Sequence, residues 1–190
     1  MKRLVVITVG KTHSGKTTFA KALEKKLDNS IVMDQDNHAE FINTYYKKIQ
    51  PKTGPNTLKH ALSRLIVDYT KENTDYHLII CNSNRSIHDR NYLLNELFPA
   101  KDFTRILVHF DIPDYILKAR VHQSERRTTI FRSATNFEQV LLRQQVDDAR
   151  EDVKSPTKEE ADYLFHIKDS QELESVINAI IRISLNEKAL

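Results

Sequence analysis

The chain has 190 residues, of which 39% are hydrophobic and 29% charged, with a formal net charge of +3. This balance points to one soluble domain with a sizeable core, and it excludes a membrane-spanning chain or a strongly basic nucleic-acid carrier while still favouring anionic ligands. Cys81 is the only cysteine, so an intrachain disulfide is impossible and a reducing, cytoplasmic setting is expected.

The first predicted element is a buried strand over residues 3–9, where 4–7 and 9 are apolar. This run is too short for the core of a signal peptide. It leads into Gly10-Lys11-Thr12-His13-Ser14-Gly15-Lys16-Thr17, the G-x-x-x-x-G-K-T spacing of a Walker A phosphate loop. Two of the chain's three glycines fill the two fixed glycine positions. Phe19, Ala20, Ala22, Leu23 and Leu27 then predict a helix packed on a sheet.

The chemistry explains the residue types. A loop wrapped around a phosphate chain turns several amides inward, and glycine accepts the necessary backbone angles. The helix that follows directs its free N-terminal amides and its positive end at the same phosphates. The expected nucleotide contacts are Gly10, Thr12, His13, Ser14, Gly15, Lys16, Thr17 and Thr18, with Lys16 reaching the β/γ oxygens and Thr17 ligating Mg²⁺. The His13 side chain is expected to face solvent.

Residues 31–33 predict a second strand, running into Asp34-Gln35-Asp36-Asn37-His38. Two carboxylates at a strand's carboxyl end suit a phosphotransferase, which needs a base for the acceptor hydroxyl. Asp36 is the expected base and Asp34 is expected in a structural or metal-linked role, although both could simply cap the next helix. Residues 46–57, with two prolines and the third glycine, read as an exposed connection. Leu58, Leu62, Leu65 and Tyr69 are spaced 4, 3 and 4 and fall on one helical face.

Residues 76–81 predict a third strand, followed by Asn82-Ser83-Asn84-Arg85. A phosphate-loop protein often ends this strand in a carboxylate for Mg²⁺, whereas Cys81 and Asn82 stand here. Cys81 reads as a small buried residue, and Arg85 and Arg90 as candidates for a substrate phosphate. A fourth strand covers 104–110. Beyond it, Arg120, Arg126, Arg127 and Arg132 fall within thirteen residues. The segment 120–135 is expected to form a lid whose arginines stabilise charge on a phosphoryl group in transfer. Residues 137–143 predict a packed helix, 162–167 a fifth strand, and Leu173, Val176, Ile177, Ile180 and Ser184 the inner face of a closing helix. Alternating strands and helices imply a parallel sheet with helices on both faces.

On residues 7–20, 33–36, 78–84 and 111–143 the sequence resembles the small P-loop kinases grouped with zeta toxins, polynucleotide kinases and gluconate- or shikimate-type kinases. The resemblance spans nearly the whole chain, and its phosphate loop is the specific part. It implies a single α/β domain over 1–190: a three-layer P-loop NTPase fold with a five-stranded parallel sheet, a short arginine-rich lid and an acceptor-binding helical segment over 37–72. It implies ATP and Mg²⁺ as cofactors. It places Asp36 on the acceptor side, Arg120 at the lid's base near the nucleotide, and Arg126 or Arg127 at the transferred phosphate. Lys16, Asp36, Arg120, Arg126 and Arg127 are the expected catalytic set, and Thr17 and Asp34 the expected metal side.

The leading functional expectation is ATP-dependent transfer of the γ-phosphate to a small hydroxylated or phosphorylated acceptor, with Asn37, His38, Tyr45, Lys47, Lys48 and Lys52 offered as pocket residues. A polynucleotide 5′-kinase is the alternative: Tyr45, Tyr46, Lys47, Lys48 and Lys52 supply a fragment of an aromatic, basic track, against which the low net charge argues. A third reading, supported by the missing carboxylate after the third strand, is a nucleotide-binding regulatory module with little turnover.

Overall fold

A computed structural model describes residues 2–188. Strand β1 (Arg3–Val9) lies at the centre of the sheet, with all but its first residue buried. It pairs in parallel with β3 (His77–Cys81) on one side and β4 (Phe103–Phe110) on the other. Strand β2 (Ser30–Asp34) lies outside β3, and β5 (Tyr163–Ile167) outside β4, giving the order β2-β3-β1-β4-β5. The five expected strands are present, within about two residues at each end.

Side chains alternate across the sheet, so β1 feeds two cores. Leu4 and Val6 join Phe19 and Leu23 of α1 (Lys16–Lys26), Leu117 of α5 (Asp114–His122), Leu141 of α6 (Phe137–Asp147) and Ile177 of α7 (Leu173–Lys188). Val5, Ile7 and Val9 join Val67 of α3 (Thr57–Asn73) and Leu94 and Leu97, which follow α4 (Ile87–Asn91) in a wider π-type segment (Tyr92–Leu97). Helices on both faces complete the three-layer α/β P-loop arrangement. The closing helix buries Val176, Ile177, Ile180 and Ser184, as the periodicity predicts.

Helix α3 does not bury its apolar stripe as a whole. Its buried residues are Ser63, Val67 and Thr70, while Leu65 and Tyr69 are exposed. The two hydroxyls donate to carbonyls four residues back, Ser63 to Lys59 (2.9 Å) and Thr70 to Ile66 (2.8 Å). Satisfied in this way, they enter the core at little cost, while Leu58 and Leu62 of the apolar stripe are half-buried and its Leu65 and Tyr69 lie outside. Arg90 departs from expectation. It is fully buried, forks onto Glu160 (2.6 and 3.0 Å) and donates to the Asn84 and Arg85 carbonyls, so it braces the loop after β3 and does not meet a ligand.

Candidate active site

The carboxyl ends of the strands open into a cleft of about 900 Å³, at the upper end of the range for small-molecule sites. The phosphate loop forms its floor. Gly10 has φ 153°, and a Cβ there would stand 3.0 Å from both the Cβ and the carbonyl oxygen of Phe110, so only glycine fits. Its amide donates to the Ser83 carbonyl (2.9 Å) and is therefore committed to the scaffold; Gly10 shapes the loop without lining the cleft. Gly15, at φ 104°, caps α1 without a side-chain partner for the first amides, so the helix's positive end faces the cleft. Thr12, His13, Ser14, Gly15, Lys16, Thr17 and Thr18 all line it.

The His13 side chain does not face open solvent. In the left-handed region at φ 59°, its ring packs edge-on to Phe137 (4.7 Å between centroids) and its Nδ1 lies 2.9 Å from the Thr12 hydroxyl. Burial, reinforced by the cations Arg126, Lys16 and Arg120, pushes the ring down to about 4, so it is neutral at neutral pH.

Lys16 donates across the loop to the Lys11 carbonyl and to Ser14 Oγ (3.2 Å). Burial brings its pKa from 10.5 down to about 8. The folded protein thus favours neutral Lys16, and that penalty on folding fades as pH rises from about 8 towards 10.5. Phosphate binding favours the ammonium, so the sign reverses. Nucleotide affinity is expected to fall by up to about tenfold per pH unit above pH 8, with proton uptake on binding that calorimetry in buffers of different ionisation enthalpy detects.

The loop is pinned by side chains beyond it as well. Lys11 pairs with Asp114 and Asp148 at 2.7 Å each, Arg85 donates to the Gln144 carbonyl (2.7 Å) and pairs with Asp148, and the Thr12 amide donates to Gln144 Oε1 (2.7 Å). Arg85 thus acts on the scaffold.

Strand register assembles the acidic side. Asp34 stands directly beside Cys81 in the β2–β3 ladder. Cys81 Sγ lies 3.6 Å from Thr17 Oγ1, where a third-strand carboxylate would face the loop hydroxyl. The Cys81 thiol, pushed up by burial to about 11, stays protonated and carries no charge for a metal. Asp34 supplies the carboxylate from one strand further out: Thr17 Oγ1 donates to its Oδ2 at 3.4 Å. Its other oxygen accepts from the Asp36 amide (2.9 Å), so Asp34 also caps α2 (Gln35–Tyr45). Burial raises the Asp34 pKa above its ordinary value.

Among the described residues no group of three His, Cys, Asp or Glu side chains could hold a metal ion. The Thr17–Asp34 pair offers hard oxygen donors to one side of a cation, which fits Mg²⁺, an ion that keeps water and phosphate oxygens in the rest of its shell.

The segment between α5 and α6 closes over these groups. Arg120 donates to the His13 carbonyl (3.1 Å) and to Ser170 Oγ (3.0 Å), joining loop and lid base. Arg126 pairs with Asp36 Oδ2 at 2.9 Å, and its guanidinium stacks on Phe137 at 4.9 Å. Arg127 is not brought to the cleft: its side chain is 85% exposed, 3.9 Å from Glu40. Arg132 donates to the carbonyls of Pro51 (3.0 Å) and Gly54 (2.6 Å), tying lid to connection.

The pocket residues expected from 37–52 do not line the cleft. His38 turns to Ser63 Oγ (2.7 Å) in a separate small cavity, and Tyr45 is 71% exposed. Ala39, Asn56 and Lys59 line it instead, together with Phe137, Val140 and Gln144. The last three are spaced 3 and 4 apart on α6, a signal readable in the sequence; for Asn56 and Lys59 no local pattern exists.

Fold and cleft define an α/β P-loop domain. The chain belongs to the AAA domain family, whose model matches residues 5–156. No curated protein matches the sequence. Among solved structures it resembles a gluconokinase from Sinorhizobium meliloti 1021 (TM-score 0.57, 15% identity, 99% of this chain and 97% of that chain covered). It also resembles the shikimate kinase of Acinetobacter baumannii in complex with shikimate (0.56, 17%, 98% and 95%). A third likeness is to the APS kinase of Mycobacterium tuberculosis in complex with AMPPNP and APS (0.57, 16%, 94% and 98%). At these identities the likeness is one of fold. No helix among the described residues is long and apolar enough to cross a membrane.

Proposed function

We propose that the protein is an ATP-dependent phosphotransferase that moves the γ-phosphate to a hydroxyl of a small acceptor. The observation that carries this reading is the Arg126–Asp36 pair, a lid arginine on a carboxylate in the same cleft as Lys16 and Thr17. A protein that only held a nucleotide would have no use for that carboxylate on the far side of the phosphates.

In this reading the loop amides and Lys16 hold the phosphate chain, and Arg120 fixes the lid against the loop. Asp36 takes the acceptor hydroxyl's proton as the new O–P bond forms and the bond between the γ-phosphorus and the β–γ bridging oxygen breaks, releasing ADP. Arg126, freed from Asp36 by the incoming acceptor, meets the charge on the equatorial oxygens. Thr17 and Asp34 would hold Mg²⁺, which when bound offsets phosphate charge.

The test is ATP turnover across sugars, sugar acids, sugar phosphates, nucleosides, nucleotides and 5′-hydroxyl oligonucleotides, beside Lys16→Ala. A stimulating acceptor and a loss of about 10²-fold or more in Lys16→Ala support the reading. Nucleotide binding without stimulation by any member leaves the regulatory module as the better account. Stimulation by oligonucleotides alone favours the polynucleotide kinase.

A further inference from the structure

Three successive residues of the phosphate loop are held by one helix. The His13 ring packs on Phe137, the Thr12 amide donates to Gln144 Oε1 (2.7 Å), and Lys11 pairs with Asp148 (2.7 Å). Positions 137, 144 and 148 are spaced 7 and 4, so α6 and its C-cap present them on one face. Two of these contacts take a loop side chain. Gln144 takes the main chain, and it lines the cleft while doing so. It is itself fixed in place. Its carbonyl, one of the last four that a helix leaves without a partner, accepts from Arg85 (2.7 Å), and the next residue, Gln145, donates to Asp114 Oδ2 (3.0 Å).

The amide held by Gln144 belongs to the peptide group that joins Lys11 to Thr12. The carbonyl of that same group accepts from Lys16 Nζ. A trans peptide is planar, with its C=O and N–H pointing opposite ways. The group therefore shows its oxygen to Lys16 only while it shows its N–H to Gln144. Turning the plane over would aim the N–H at the ammonium and set the oxygen against Gln144 Oε1. The bond to Oε1 also polarises the carbonyl, which strengthens its hold on Lys16.

The consequence falls on the ammonium, which has three donors. Two are taken by the Lys11 carbonyl and Ser14 Oγ (3.2 Å), which leaves one for a phosphate oxygen. With the Lys11 carbonyl turned away, one of the two fixed bonds is lost and the direction of the third donor is no longer set.

We propose that Gln144 is a positioning residue: by fixing the Lys11–Thr12 peptide it aims the remaining donor of Lys16 at the β/γ oxygens of the nucleotide. The aim of Lys16 concerns nucleotide binding; only its effect on transfer rests on the phosphotransferase reading, and the two fail separately.

The first arm is a nucleotide titration. Gln144→Met keeps the length and helix propensity of the side chain but lacks the amide oxygen. It is expected to weaken AMPPNP binding in the presence of Mg²⁺ about tenfold. In a Lys16→Ala background the same substitution is expected to change affinity less than twofold, since the ammonium it acts through is gone. The Thr12 amide signal in ¹⁵N spectra is expected to move in both backgrounds, showing that the bond is lost in each. An affinity within twofold of wild type in Gln144→Met, tighter binding, an equal loss in both backgrounds, or an unmoved Thr12 signal each overturns the proposal. An equal loss would mean that Gln144 merely supports the loop, and tighter binding that its oxygen blocks a phosphate position.

The second arm is kinetic. With a stimulating acceptor, Gln144→Met is expected to lower kcat about tenfold and to leave the acceptor's KM within twofold. An unchanged kcat, or a loss carried by the acceptor's KM, overturns the positioning role. If no acceptor stimulates turnover while the first arm gives its expected result, the phosphotransferase reading fails and the link from Gln144 to Lys16 stands.

Discussion

Asp36→Asn is expected to lower acceptor-dependent turnover by about 10²–10⁴-fold, with nucleotide affinity held within about threefold. Asparagine keeps the shape of the side chain and can still accept a hydrogen bond. It has no negative charge to draw the hydroxyl proton and cannot take that proton at neutral pH. The loss therefore falls on kcat more than on the acceptor's KM. The fold is not at risk, because the cap of α2 is made by Asp34 and Asp36 contributes only its backbone amide to it. Steady-state kinetics with a stimulating acceptor, beside a nucleotide titration, checks both halves. Unchanged acceptor-dependent turnover removes Asp36 as the base.

The sequence carried the phosphate loop and the two carboxylates because each is a local feature. A glycine spacing and a strand running into acidic residues need no partner to be read. The closing helix was legible for the same reason: its apolar period matches the face it buries. What the sequence left open depends on distance. Asp34 could be named from its place after the second strand, but its position beside Cys81 and 3.4 Å from Thr17 Oγ1 follows from the β2–β3 register, and register between parallel strands is not written in either strand alone. Lys59 lines the cleft because the first turn of α3, capped by Asn56, opens onto it, while the lysines of 47–52, equally basic in sequence, do not line it. The buried face of α3 shows a third limit. Periodicity locates an apolar stripe, but hydroxyls bonded to their own helix let a more polar face be the buried one.

Arg126 and Arg127 are adjacent in sequence and alike in chemistry, yet the structure gives them different fates, and this separation yields the sharpest kinetic contrast. Arg126→Ala is expected to reduce turnover by about 10³-fold or more, as for an arginine that meets the transferred phosphoryl group. Arg126→Lys is expected to recover only part of this, because an ammonium lacks the planar fork and stacks poorly on Phe137. Arg127→Ala is expected to stay within about twofold, since an exposed pair with Glu40 contributes little. The pairing of Arg126 with Asp36 adds a further condition. When one partner is removed the other loses its counter-charge, so the double variant Asp36→Asn with Arg126→Ala is expected to lose much less than the product of the two single losses. Single-turnover measurements on the four variants separate the phosphoryl-transfer step from product release. Equal losses at Arg126 and Arg127 would mean that their positive charge acts at long range. A loss at Arg126 alone, coupled to Asp36, means that the lid delivers one guanidinium to the reacting phosphate, and that its salt bridge to the base is exchanged for that phosphate when the acceptor arrives.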